Sequence, residues 1–344
     1  MNTSDHAQEV LKAVEGVRDG VLTANRAAVD RTGTIPAENF EALAALGLYG
    51  VGMDAEDGGD PDVDYPTLLG VIERLASGCL ATTLVWLQHL AMTRVAVGHQ
   101  GPGAVASWRA DVASGRFRGG IAFAGQLPGP PMLRVERDGD EYVVTGTSPW
   151  VSGWTLVDGL VVAARDADDN VVRLLTAAGP SASLSATDTD LWVLQATKTV
   201  ELRFDGHRIP AADMLDATPL GEILAGDAGS LRINGSLALG LADRCGRMLG
   251  VAGDDDELDA VRRRLDESGP EDLAAARAAA SNFAAARAGA AVAANGGRAL
   301  QQSDPAGLAL REAAFVLVFG QRRTIREPMV DGWLSWSRTT AAAD

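Results

Sequence analysis

Cysteine, histidine and positive charge are all scarce in this chain, and each shortage excludes something. Cys79 and Cys245 are its only cysteines. They are far apart in helical-looking segments and read as reduced, packed thiols, which excludes a disulfide-stapled fold. The four histidines, His6, His89, His99 and His207, show no ligand spacing with one another or with a cysteine pair, so no metal site is expected. Lysine and arginine number 30 against 46 acidic residues, a net charge of −16 with no basic block, and a nucleic-acid backbone would be repelled. No apolar run reaches the roughly 18 residues of a membrane span. Met1 to Val10 is polar, without the basic start and apolar stretch of a signal peptide. A cytoplasmic protein with neither a membrane nor a nucleic-acid partner is the expectation.

What the chain does have is length and apolar residues. With 344 residues, 47% of them hydrophobic, it can bury a large core and should divide into two or three packed units. From Glu9 to about Arg116 the periodicity is helical, broken by one loop from Met53 to Pro61. Between Arg118 and Leu215 the pattern changes to strands at Ile121 to Ala124, Leu133 to Arg137, Leu160 to Ala164, Val171 to Thr176, Trp192 to Ala196 and Thr199 to Phe204. A turn at Asp138-Gly139-Asp140 opens a hairpin whose next strand, Glu141 to Thr145, breaks at Gly146 before a second strand around Trp150. From Asp227 the chain is alanine-rich and helical, with helices at Ser230 to Gly250, Glu271 to Ala294 and Pro305 to Gln321, and an acidic connection from Gly253 to Gly269.

Three stretches carry a resemblance. The first is Gly139 to Arg165, with Trp150-Val151-Ser152; the second, Val200 to Leu215, contains Phe204-Asp205 and Arg208-Ile209-Pro210; the third is Leu46-Gly47-Leu48 ahead of the Gly58-Gly59 loop. Together they resemble the acyl-CoA dehydrogenase family over about residues 9 to 335. The resemblance implies an α+β fold in three parts: an N-terminal helical domain (1–117), a small antiparallel β-domain (118–216) and a C-terminal four-helix-type bundle (217–344). It also implies FAD, or else FMN, with Trp150 stacking beside the flavin ring, Ser152 facing its N5 nitrogen as a hydrogen-bond donor, and Phe123 and Ala124 approaching the pyrimidine end.

The chain departs from that family in three places. Where the family has a hydroxyl-bearing loop after the first strand, this sequence reads Ala124-Gly125-Gln126-Leu127-Pro128-Gly129-Pro130-Pro131. Where the family grips a diphosphate with Arg and Phe-Gly, it has Asp254-Asp255-Asp256-Glu257, whose charge would repel one; Arg262, Arg263 and Arg264 are the substitutes on offer. Setting Gly296-Gly297 and Arg311-Glu312 against the family's pattern puts Ser303 where a catalytic Glu is usual. Asp304, next to it, is then the carboxylate available as a base, although it reads first as a cap for the helix beginning at Pro305. The readings left open are a flavin-dependent oxidoreductase acting on an acyl thioester or related small molecule, a reduced-flavin monooxygenase, and a flavin-free protein that reuses the pocket. The first two imply an electron-transfer or reductase partner. A homodimer or homotetramer is expected through the alanine-rich helix from Glu271 to Ala294.

Overall fold

The computed structural model describes residues 3–97, 104–226, 228–251, 255–320 and 322–341. His99, Asp227, Asp254 and Gln321 lie outside them. Helices α1 (Thr3–Val17), α2 (Thr23–Thr32), α3 (Ala37–Ala45), α4 (Tyr65–Gly78), α5 (Leu80–Val97) and α6 (Ala104–Ser114) form the first part, with a π-helical turn at Arg18–Leu22. Asp64 caps α4 by accepting the Thr67 amide, and Pro66 occupies its first turn. The Met53 to Pro61 loop is tied back by a Val51–Asp60 bridge and by Arg109 on Asp57.

Eight strands follow: β1 (Gly119–Ala122), β2 (Leu133–Asp138), β3 (Glu141–Val151), β4 (Gly159–Arg165), β5 (Asn170–Ala177), β6 (Leu184–Asp188), β7 (Val200–Pro210) and β8 (Met214–Pro219). Their order is β6-β7-β3-β2-β4-β5-β8, with β1 beside β4. The ladders are antiparallel except β1–β4 and the single β2–β4 bridge, Arg134 to Arg165. All seven residues of β4 are buried, as a strand covered on both faces requires.

Four sequence expectations change here. The hairpin is β2–β3, and β3 runs on through Gly146 as one strand with register shifts at Val144/Gly146 and Ser148/Val151; Gly146 holds φ 126° and has no room for a side chain, since a Cβ would sit 2.0 Å from the Met132 carbonyl oxygen. Trp192 to Ala196 is not a strand but a turn into a 3-10 segment at Gln195–Thr197, with Leu194 left-handed. β6 and β8, polar or short, carry too weak an alternation to be read, and β8 extends the sheet to Pro219. The acidic connection is largely a helix in which only Leu258 and Leu265 are buried.

The last part comprises α7 (Leu220–Ala225), α8 (Ala228–Met248), α9 (Asp256–Glu267), α10 (Leu273–Asn295), α11 (Pro305–Val318) and α12 (Arg323–Ala341). α10 packs against α8, α9, α11 and α12. Its Ala276, Ala278, Ala280, Ala284 and Ala288 are all at most 1% exposed and pack inside the chain, whereas Ala286, Ala290, Ala293 and Ala294 are exposed. Small size brings helices together: Gly240 of α8 lies so close to α4 that a Cβ would meet the Glu73 carbonyl oxygen at 2.3 Å. On α12 the residues Val330, Trp333 and Leu334 face outward.

Candidate functional site

Backbone strain gathers at one end of the β-domain. Among the described residues five non-glycine positions have positive φ, and four of them, Trp150 (62°), Thr155 (70°), Leu194 (59°) and Lys198 (49°), lie in two segments hydrogen-bonded to each other. Gly153 N donates to Thr197 O at 2.8 Å and Trp154 N to Lys198 O at 3.2 Å. A left-handed tryptophan is unfavourable by about 1–2 kcal/mol, and such strain persists where the surroundings over-determine it, commonly at ligand sites. Here it turns the Trp150 indole outward, 67% exposed, while Ser152 two residues on is 7% exposed. The Ser152 hydroxyl meets Thr199 Oγ1 at 2.8 Å, and Thr199 meets Thr197 Oγ1 at 2.8 Å. Thr197 and Thr199 were not singled out in the sequence; a threonine every second residue reads only as strand.

β1 stops at Ala122, two residues short of the strand expected to Ala124, and Phe123 and Ala124 follow it in the same domain, Phe123 leading into a 3-10 turn at Ala124–Gln126. Ala124 is buried in the sheet core with Val151 and Trp154, whereas Phe123 is half-buried on the cluster that joins the sheet to Met92. α5 runs beneath both positions: Val85 lies under Gly153, and Ala91 and Arg94 share a cleft with Phe123. His89 fastens this floor. Gly119 N donates to its Nδ1 at 3.0 Å, so its Nε2 carries the proton and donates to Tyr49 O at 3.1 Å. Burial lowers its pKa to about 4.

The cleft, about 510 Å³, also takes in Gln126, the Arg173–Asp216 pair, Glu222 and the start of α8 at Ser230. Its carboxylates are therefore Asp216 and Glu222. The loop after β1 is held by an unforeseen residue, Arg165, buried to 3% and donating to the carbonyls of Leu127 and Gly129.

Ser303 and Asp304 are not brought to this cleft. α8 and α11 run antiparallel: Arg244 pairs with Glu312, and Gly320 beyond the C-terminal end of α11 sits beside Asn234, one turn from Ser230. The N-terminal end of α11 thus lies at the far end of α8, where Leu249 packs near Ala299 and Ala306. α8 has 21 residues, about 30 Å at ~1.5 Å each. Asp304 caps α11 there, Oδ1 accepting from Ala306 N at 2.9 Å and Gly307 N at 3.3 Å, Oδ2 from Asn295. Ser303 is exposed.

Part of the acidic charge at the diphosphate segment is paired with one arginine. Asp255 accepts from Arg287 and caps α9, and the Arg287 hydrogen bond holds its carboxyl below the usual range; Glu257 pairs with Arg287 as well. Arg262 is committed to Glu73 and Asp259, which leaves Arg263 and Arg264 exposed. The ring end, with an exposed aromatic plane beside a buried hydroxyl, fits a flavin. Among the described residues no group of three or more His, Cys, Asp or Glu is placed to hold a metal, and no helix is long and apolar enough to cross a membrane.

The family model "Acyl-CoA dehydrogenase, N-terminal domain" matches residues 4–106. The chain is 26% identical over 228 residues to acryloyl-CoA reductase (NADH) of Anaerotignum propionicum, covering 62% of this chain and 57% of that protein. It is 27% identical over 234 residues to the mitochondrial short-chain specific acyl-CoA dehydrogenase of Bos taurus, covering 63% and 55%. The matched stretch thus spans little more than half the length of these relatives. A solved glutaryl-CoA dehydrogenase of Mycobacterium smegmatis, in complex with FADH2, shares the fold at a TM-score of 0.79 and 17% identity, covering 95% of this chain and 94% of that one. Residues 4–106 thus match the acyl-CoA dehydrogenase N-terminal domain, the relatives are similar to the chain over more than half its length, and its whole fold is that of solved acyl-CoA dehydrogenases, which together support the acyl-CoA dehydrogenase-like superfamily.

Proposed function

We propose that this chain binds a flavin, FAD or else FMN, at the strained end of β3, and acts as an oxidoreductase on an acyl thioester or a related small molecule held in the cleft between α5, the sheet and the start of α8. The observation that supports it most is the outward-turned Trp150 on a left-handed backbone beside the buried Ser152. Trp150 supplies an aromatic plane for the ring, Ser152 meets its central edge, and Phe123 stands where β1 opens into the cleft. The flavin, when bound, supplies the redox chemistry. The chain's own residues position it, and the polar wall of Arg94, Gln126 and Glu222 orients the substrate. An electron-transfer or reductase partner goes with this reading.

One observation favours reduced-flavin monooxygenase chemistry as a second reading: Asp304, the carboxylate available as a base, is engaged as a helix cap. Titration of the purified protein with FAD and with FMN, followed by flavin fluorescence, tests the proposal. Saturable quenching is expected, weakened about tenfold in Trp150→Ala for the loss of one aromatic contact. Unchanged flavin emission at high micromolar protein would reject it in favour of a flavin-free protein.

A further inference from the structure

Three buried hydroxyls at the end of β3 form a chain with one permitted direction. Thr197 Oγ1 lies 2.8 Å from the Leu194 carbonyl oxygen, Thr199 Oγ1 2.8 Å from Thr197 Oγ1, and Ser152 Oγ 2.8 Å from Thr199 Oγ1. A carbonyl oxygen has no proton to give, and a hydroxyl has one. The Thr197 proton therefore goes to Leu194, Thr197 accepts the Thr199 proton, and Thr199 accepts the Ser152 proton. The reverse order would leave the Thr197 hydroxyl oxygen and the Leu194 carbonyl oxygen 2.8 Å apart with no proton between them. The surroundings hold the arrangement: Thr197 is fully buried, and its carbonyl is bonded to Gly153 N.

We infer that Thr197 and Thr199 are positioning residues that make Ser152 a hydrogen-bond acceptor towards the ligand, so that the site favours the reduced flavin over the oxidised one. This rests on the flavin reading above and refines it. The central N5 nitrogen of a flavin bears hydrogen only in the reduced ring; in the oxidised ring it is itself an acceptor. Against Ser152 lone pairs the reduced ring makes a hydrogen bond and the oxidised ring leaves two acceptors facing each other. A buried hydrogen bond made in one state and missed in the other is worth on the order of tenfold in affinity. By linkage that raises the potential of the bound flavin by about 30 mV for a two-electron couple.

The test is the ratio of the dissociation constants of oxidised and dithionite-reduced FAD, measured anaerobically on the full chain. Thr199→Val removes the acceptor of the Ser152 proton. Thr197→Val turns the Thr199 proton back towards Ser152, and either change frees Ser152 to donate into the site. Both valine variants should tighten the oxidised flavin and lower the ratio about tenfold, while Thr199→Ser and Thr197→Ser, which keep the hydroxyl, should preserve it. If Thr199→Val does not fold by circular dichroism, Thr197→Val decides alone. FAD binding with the ratio unchanged in the valine variants overturns the inference and leaves the flavin reading standing. Binding of neither form by the unsubstituted chain overturns the flavin reading, and the inference with it.

Discussion

Asp304 and Ser152 carry the same lesson at the scale of single residues: a side chain's chemistry is set by what already occupies its lone pairs and protons. Asp304 accepts two amide protons of α11 and one from Asn295. Asp304→Asn should therefore change little, because asparagine caps as well as aspartate, whereas Asp304→Ala should cost about 1 kcal/mol. Urea unfolding would measure both, and flavin binding should be unaffected by either; a loss of flavin binding in Asp304→Asn would return this residue to the site. The sequence shows a carboxylate before a proline, which favours the cap while leaving the base open. Ser152 was expected to donate to a ligand, and the direction inferred for the Thr197–Thr199 chain would make it an acceptor instead, because the direction of a hydroxyl depends on a carbonyl, Leu194, that sequence spacing does not connect to it.

Among the elements, close approach matters more than helix propensity. Gly240 lies in α8, where alanine is intrinsically better by about 1 kcal/mol. Its Cβ, however, would lie 2.3 Å from the Glu73 carbonyl oxygen and 2.8 Å from Ala76 Cβ. Gly240→Ala should destabilise by about 1–3 kcal/mol, since backbone on α4 has to move. Gly289 of α10 has nothing within 4 Å of its Cβ position, and Gly289→Ala should stabilise by about 0.5–1 kcal/mol. Thermal melts of the two variants test this, and opposite signs are required. Long or strongly apolar elements such as α8, α10 and β4 were legible in the sequence, and β7 was legible as far as Phe204, six residues short of its end. α9 was hidden because only two of its residues are buried, and β3 was divided at Gly146 because a bulge glycine has the same appearance in sequence as a break.

For the whole molecule, the join between the helical and β parts depends on a neutral His89 set between Tyr49 O and Gly119 N. Its folded pKa of about 4 lies below the ordinary 6.5. The unfolded chain therefore takes up this proton first as the pH falls. Its contribution to stability is complete above pH 6.5 and is lost as the pH drops towards and through 4, at up to ~1.4 kcal/mol per pH unit. His207, also lowered by burial, acts in the same direction. Urea unfolding at pH 7, 6 and 5 should show a smaller loss in His89→Gln, which offers the same donor and acceptor without titrating; parallel slopes would remove His89 from this role. Composition and periodicity determined by themselves that the chain is a helix–sheet–helix protein with two separate thiols, because burial of apolar residues at 3.6- and 2-residue spacing is a local pattern. Tertiary structure alone decided which groups meet. It carried Ser303 and Asp304 about 30 Å along α8 from the cleft, enclosed Ala276, Ala280, Ala284 and Ala288 of α10 within the bundle, and linked Ser152 to Thr199 across two strands, since antiparallel packing places residues by the length and direction of whole elements.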